Sequence, residues 1–203
     1  MFQNNGQSQI LPLLPNTASV EDCFPDTIGY KRITVGPNGM FQNLQSALNA
    51  AQAGTVILLD AGSIHIGGFV LPAKPASNQW IVLTSSRMDL LPKQGVRVEP
   101  QAATGDPQFP KQQKAMATIL TTNSSGIPCF VTAVGAHHYR LVGLEISASP
   151  IVLNSYGLIN FGESSTAQNQ LSKVPNHLIL DRCYVHGHSQ GSIMKYGIRL
   201  DCS

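Results

Sequence analysis

Tyr139-Arg-Leu-Val-Gly-Leu-Glu-Ile146 and Leu178-Ile-Leu-Asp-Arg-Cys-Tyr-Val185 carry one pattern twice, 39 positions apart. Downstream, Tyr156-Gly-Leu-Ile-Asn160 returns 40 positions later as Tyr196-Gly-Ile-Arg-Leu200. Each unit reads as a first strand, a tight polar corner and a second strand opening at Tyr-Gly. The polar stretch from Gly162 to Asn176 reads as a loop inserted between units. The inward side chains are expected to be Tyr139, Leu141, Leu144 and Ile146, then Leu178, Leu180, Cys183 and Val185. The middle of each set breaks strict alternation, which marks a bend at Gly143 and at Arg182. Arg140, Val142 and Glu145, then Ile179, Asp181, Tyr184 and His186, fall outward. Short bent strands recurring at a fixed period describe an all-β solenoid, a parallel β-helix.

Toward the N-terminus, Lys31-Arg-Ile-Thr-Val35 reads as a strand closed by the turn Gly36-Pro-Asn-Gly39. Phe41, Leu44, Leu48 and Ala51 then form a narrow apolar stripe at helical spacing, predicting one helix over 41–53 that Gly54 stops. Thr55-Val-Ile-Leu-Leu59 is apolar throughout, which implies burial or a place in a large sheet. Ser63 to Ile66, Gly68 to Leu71, Trp80 to Thr84, Met116 to Thr121 and Cys129 to Val134 follow as short strands, with a proline-marked excursion over 85–114. The helix is expected to plug the N-terminal mouth, because an open solenoid end exposes apolar core and unpaired strand edges. Residues 1–30 form an irregular lead-in, and 31–203 the N-terminal part of a single β-helix domain. Tyr196-Gly-Ile-Arg-Leu-Asp-Cys-Ser203 reads as an interior strand, so remaining rungs of a longer parent are expected to cover this C-terminal face.

Composition narrows the partners. Across 203 residues there are 13 Lys and Arg against 11 Asp and Glu, a formal charge of +2 with no basic run. A nucleic-acid binder draws its affinity from clustered cations, so that class is excluded. Charged residues make up 12% of the chain, half the usual ~25%. Asn, Gln, Ser and Thr take their place, which suits a strand-rich extracellular protein. No stretch approaches the ~18 apolar residues of a membrane-spanning helix, and the start Met1-Phe-Gln-Asn-Asn5 lacks the features of a signal peptide. Cys23, Cys129, Cys183 and Cys202 contain no C-x-x-C pair. They fit one or two disulfides, or buried free thiols in apolar strands such as Ile127-Pro-Cys129-Phe-Val131.

The opening Ile33-Thr-Val-Gly36, Gly39-Met-Phe41, Leu44-Gln-Ser-Ala-Leu48, Gly54-Thr-Val-Ile57 and Asp60-Ala-Gly62 resembles the first strand, capping helix and first rung of the pectin lyase-like right-handed parallel β-helix superfamily. Leu178-Ile-Leu-Asp-Arg-Cys-Tyr-Val-His-Gly187 with Gly197-Ile-Arg-Leu200 is similar to its repeating coil. Ala136-His-His-Tyr-Arg140 with Gly143-Leu-Glu-Ile146 is similar to a rung of secreted bacterial β-helix proteins. The resemblance implies a right-handed solenoid, a secreted or cell-surface location and a polysaccharide partner, and it admits calcium as a cofactor. It selects no activity, since the superfamily holds lyases, esterases, hydrolases, epimerases, adhesins and tailspikes.

Lyase chemistry of that kind needs clustered carboxylates for calcium and an Arg or Lys base. The local candidates are Asp181 with Arg182 and Arg199 with Asp201. Both are read as side chains on opposite strand faces in structural roles. Gly187-His-Ser-Gln-Gly-Ser192 matches a polygalacturonase motif only in part, without the paired aspartates that hydrolysis requires. His186 and His188 make half of a metal site, with the surface-histidine reading favoured for them and for His137 and His138. Tyr184, Trp80 and Tyr156 offer rings on which sugar faces could stack. Tyr184 leads, because the repeat sets it outward beside Asp181 and His186, and these three with His188 form the candidate substrate-binding set. Two functions follow: a polysaccharide-binding or polysaccharide-processing protein of pectate lyase type, or a non-catalytic adhesin or scaffold.

Overall fold

The computed structural model describes residues 25–93, 98, 115–123, 125–163, 166–188 and 193–202. Cys23 and most of the lead-in segment lie outside that set. A first sheet runs in the order β1 (Lys31–Val35), β2 (Thr55–Leu59), β5 (Ile81–Ser85), β8 (His137–Val142) and β12 (Asn176–Asp181). A second holds β3 (Ile64–Ile66), β6 (Ala117–Thr121), β9 (Leu144–Ala148) and β13 (Tyr184–His186). A third holds β4 (Phe69–Leu71), β7 (Phe130–Thr132), β11 (Ile159–Glu163) and β15 (Ile198–Cys202), and β10 (Asn154–Ser155) pairs with β14 (Ile193–Met194). Every one of these pairings is parallel. From β2 onward the chain visits the first, second and third sheets in that order, four times over. The protein is therefore mostly β, with parallel sheets and one α-helix among the described residues.

The bends expected at Gly143 and Arg182 are present, at φ +61° and +48°. Each is a change of sheet: Tyr139 to Ile146 is two strands, β8 and β9, in different sheets. A left-handed residue redirects the backbone within one step, which glycine does freely and arginine does at a cost. The second expected offset is corrected. Ser155 pairs with Met194 and Ile159 with Ile198, a shift of 39 throughout, so Tyr156 lies opposite Lys195 and not opposite Tyr196. Repeated tyrosines at unequal points of a loop do not set register; the strand hydrogen bonds do.

One apolar cluster draws on all three sheets, with Ile57, Leu83 and Leu141 from the first, Ile119 and Ile146 from the second, and Phe69 and Phe130 from the third. Tyr139, Leu141, Leu144 and Ile146 are fully buried in it. Leu178, Leu180, Cys183 and Val185 are partly buried against it. A second cluster of Val56, Trp80, Val82 and Val142 covers the other face of the first sheet. Thr55 to Leu59 is apolar throughout because both of its faces are covered.

The helix α1 (Leu44–Ala50) is shorter than the stripe predicts. Asn43 caps it, its side-chain oxygen accepting from the Gln45 and Ser46 amides. It ends where Ala51 turns extended, and the left-handed Gly54 (φ +74°) belongs to the turn before β2. Phe41 instead bridges to Val35. Leu44, Ala47 and Leu48 face the core, and the helix packs against β1 and β4. The Gln45 side-chain amide pairs with both backbone groups of Val70, at 2.8 and 3.0 Å, and so occupies part of the free edge of β4. Cys129 and Cys183 are free thiols, and burial pushes the Cys129 thiol up to about 12. No helix of the described residues is long and apolar enough to cross a membrane.

Candidate functional site

The outer face of the second sheet is assembled by register. Thr118 of β6 lies beside Glu145 of β9, and Glu145 beside Tyr184 of β13. One row further along come Leu120, Ser147 and His186. Alternation turns all six outward, while Ile119 and Ile146 between them point to the core. Ile64 and Ile66 of β3 continue these rows and are more than half exposed.

Three polar side chains join on this face. His186 Nε2 lies 2.9 Å from Glu145 Oε1, and Thr118 Oγ1 donates to Glu145 Oε2 at 2.8 Å. His186 Nδ1 lies 2.8 Å from the Gly187 carbonyl oxygen, an acceptor only, so that nitrogen donates. The Tyr184 ring stacks on the imidazole with centroids 4.1 Å apart and planes 22° apart. The hydrogen bond from His186 holds the Glu145 carboxyl below its ordinary range, against burial, with Thr118 adding to it. Burial works against the charged imidazole, yet the hydrogen bonds to Glu145 and Gly187 outweigh it and the His186 pKa is raised. The state so favoured is an imidazolium donating from both nitrogens. Both N–H groups are then engaged within the protein, so the ring exchanges a proton only by giving up one of these bonds, and it accepts one only after losing its own.

The other candidates are dispersed. Asp181, at the end of β12, is 8% exposed and lies inside a double ion pair. Arg140 Nη2 reaches its Oδ2 at 2.9 Å, and Arg182 Nε reaches its Oδ1 at 2.8 Å. Burial alone would raise its pKa, but the two guanidinium groups leave it lowered. Asp181 and Arg182 therefore meet instead of pointing to opposite faces, because the left-handed Arg182 breaks the alternation. Arg199 and Asp201, two positions apart on β15, also share a face and pair at 2.9 Å. His188 lies beyond β13 and is half-buried. Trp80 is 4% exposed and presents no open ring face. It forms an edge contact with His138, which stacks on His177 at 4.3 Å. The Nδ1 atoms of His137 and His138 lie 2.9 Å apart, with His138 at φ +56°.

The three carboxylates of the candidate pairs are already occupied. Asp181, Glu145 and Asp201 are each taken up by a cation, and among the described residues no group of three or more His, Cys, Asp or Glu could hold a metal ion. Glu145 and Thr118 were not among the sequence candidates. The 39-residue shift already sets Glu145 beside Tyr184, whereas nothing in the sequence around Thr118 announces that β6 lies next to β9.

No protein-family model and no curated protein matches this chain. Among solved structures, an alginate lyase from Paenibacillus sp. str. FPU-7 matches with a TM-score of 0.35 and 19% identity, over 58% of this chain and 30% of that one. The chain thus spans less than a third of that lyase's length, and at this similarity the likeness shows neither a shared fold nor a shared activity.

Proposed function

We propose that the chain is a stretch of a right-handed parallel β-helix from a secreted protein that binds or processes polysaccharide, with the outer face of the second sheet as its contact surface. The cyclic order of the three parallel sheets supports the solenoid, and parallel crossovers are right-handed in nearly all known cases. The observation that carries the functional reading is the group of Tyr184, His186, Glu145 and Thr118 on an outward strand face. A sugar face packs on the phenol ring, while the Tyr184 hydroxyl offers a donor and an acceptor to sugar hydroxyls. In a β-elimination, the carbon next to the uronate carboxylate gives up its proton, a double bond forms to the adjacent ring carbon, and the glycosidic C–O bond there breaks, the oxygen leaving with the departing sugar. His186 can take that proton only in its neutral form and with one nitrogen released from Glu145 or Gly187, so turnover would rise with pH through its raised pKa. One observation favours a scaffold or adhesin instead: Asp181, Glu145 and Asp201 are all engaged in ion pairs. Incubation with polyuronates, followed by ultraviolet absorbance of unsaturated products, separates the two. Turnover lost in His186→Ala supports the enzyme, and glycan binding without turnover supports the scaffold. Absence of both refutes the polysaccharide reading.

A further inference from the structure

We infer that a trough along the turn from the second sheet to the third is a separate glycan-contacting site. Granted the polysaccharide reading, on which it rests, the trough takes an acidic chain whose sugars lie on Tyr156 and Tyr196 and whose carboxylates meet Lys195. Two concavities of about 440 and 390 Å³ adjoin here and share Ser125. Their walls come from four successive circuits: Gly67 follows β3, Thr121 ends β6, Asn154 lies in β10 and Ile193 in β14. Parallel strands repeat every ~4.8 Å, so three steps span about 14 Å. Each step is close to the rise of one pyranose along an extended polysaccharide, which lets one sugar address each circuit.

The two ends of the trough differ in chemistry. The first concavity is walled mainly by glycine backbone and small hydroxyl and amide side chains, which suit sugar hydroxyls. Tyr156, in the wall of the second, is 67% exposed, and Tyr196, reached through Lys195, is 43% exposed, so both keep ring area open to a ligand. The 39-residue register sets Tyr156 opposite Lys195, whose ammonium lies 5.5 Å from the Tyr156 ring centroid and 5.3 Å from that of Tyr196. No carboxylate is among the described residues lining either concavity. An ammonium held over aromatic faces, beside described walls that carry no carboxylate, selects an anion, and stacking surfaces beside it select a flat ring bearing that anion. A uronate residue has both features.

The test is calorimetric titration of the 203-residue chain with oligomannuronate and oligogalacturonate, with neutral oligomannoside as the control. Lys195→Met is expected to weaken uronate binding about tenfold, the loss of one charge-assisted hydrogen bond, and to leave neutral binding unchanged. Lys195→Arg should retain affinity. Tyr156→Ala should weaken both ligands, and Tyr156→Leu serves if the alanine variant loses its strand circular dichroism. Uronate binding that survives both Lys195→Met and the Tyr156 variant but falls in Tyr184→Ala overturns the trough and leaves the polysaccharide reading standing. Equal losses for acidic and neutral ligands in Lys195→Met overturn the acidic assignment. No uronate binding by the unsubstituted chain overturns both the trough and the reading on which it rests.

Discussion

Asp181 is buried between two guanidinium groups, and Arg140, its partner at 2.9 Å, is only 2% exposed. Removing the carboxylate takes a counter-charge from two guanidinium groups at once, one of them buried, so Asp181→Ala should cost about 3 kcal/mol. A urea midpoint equal to that of the unsubstituted chain would show that the ion pair contributes nothing. At the Glu145–His186 pair the sign of the pH dependence follows from the two shifts. A raised imidazole pKa contributes stability that is full below 6.5 and lost as pH rises through the folded value. A lowered carboxyl pKa contributes stability present above 4.5 and lost as pH falls through the folded value. The melting-temperature difference between the unsubstituted chain and His186→Gln should therefore be largest between pH 4.5 and 6.5 and shrink above that window. A difference that grows toward alkaline pH would mean that His186 is held neutral. The pairing of Glu145 with His186 was half legible in the sequence: the repeat puts Glu145 and Tyr184 at equivalent positions, but neither hydrogen bond of Glu145 has a local signature.

At the scale of elements, Gly162 sits at φ +89° in β11, and a Cβ there would run into the Asp201 carbonyl oxygen of β15. Gly162→Ala must move one strand away from the other. A loss of about 2–3 kcal/mol is expected from strain and broken ladder bonds, together with faster hydrogen exchange at the β15 amides. Unchanged exchange there would place the close approach elsewhere. For α1, Asn43→Ala removes the acceptor for two amides and should cost about 1 kcal/mol. Denaturant unfolding reads it directly. The strands were legible because apolar residues alternate or run unbroken; β1 and β2 coincide with the segments read from sequence. The helix was overextended because its stripe continues through Ala51 although the backbone does not. Alternation also assigned Arg140 and Val142 outward correctly, but it could not foresee that a second apolar layer and an ion pair bury them there.

At the scale of the whole molecule, β12, β13 and β15 are the last strands of the three sheets among the described residues, and the third carries exposed Ile198 and Leu200 at that margin, the latter 72% exposed. Parallel strands with free edges and apolar side chains template further pairing. Light scattering on the 203-residue chain should show concentration-dependent association, reduced in Leu200→Lys; a monomer at every concentration would show that this margin is inert. The sequence by itself determined the strand-rich class, the helix that follows β1, the 39-residue offset between the bent strands and their two bends, because each is written in recognisable residue patterns along the chain. Only the tertiary structure decided that the bends separate different sheets, that β6 lies beside β9, and that Thr118, Glu145, Tyr184 and His186 share a face. The earlier circuits are of unequal length, with Thr55 beside Ile81 and Ile81 beside Tyr139. Loop-closure entropy grows only slowly with loop length. Excursions of different size can therefore leave the stack undisturbed while erasing its period from the sequence, and strand register with a shared core then settles which residues meet.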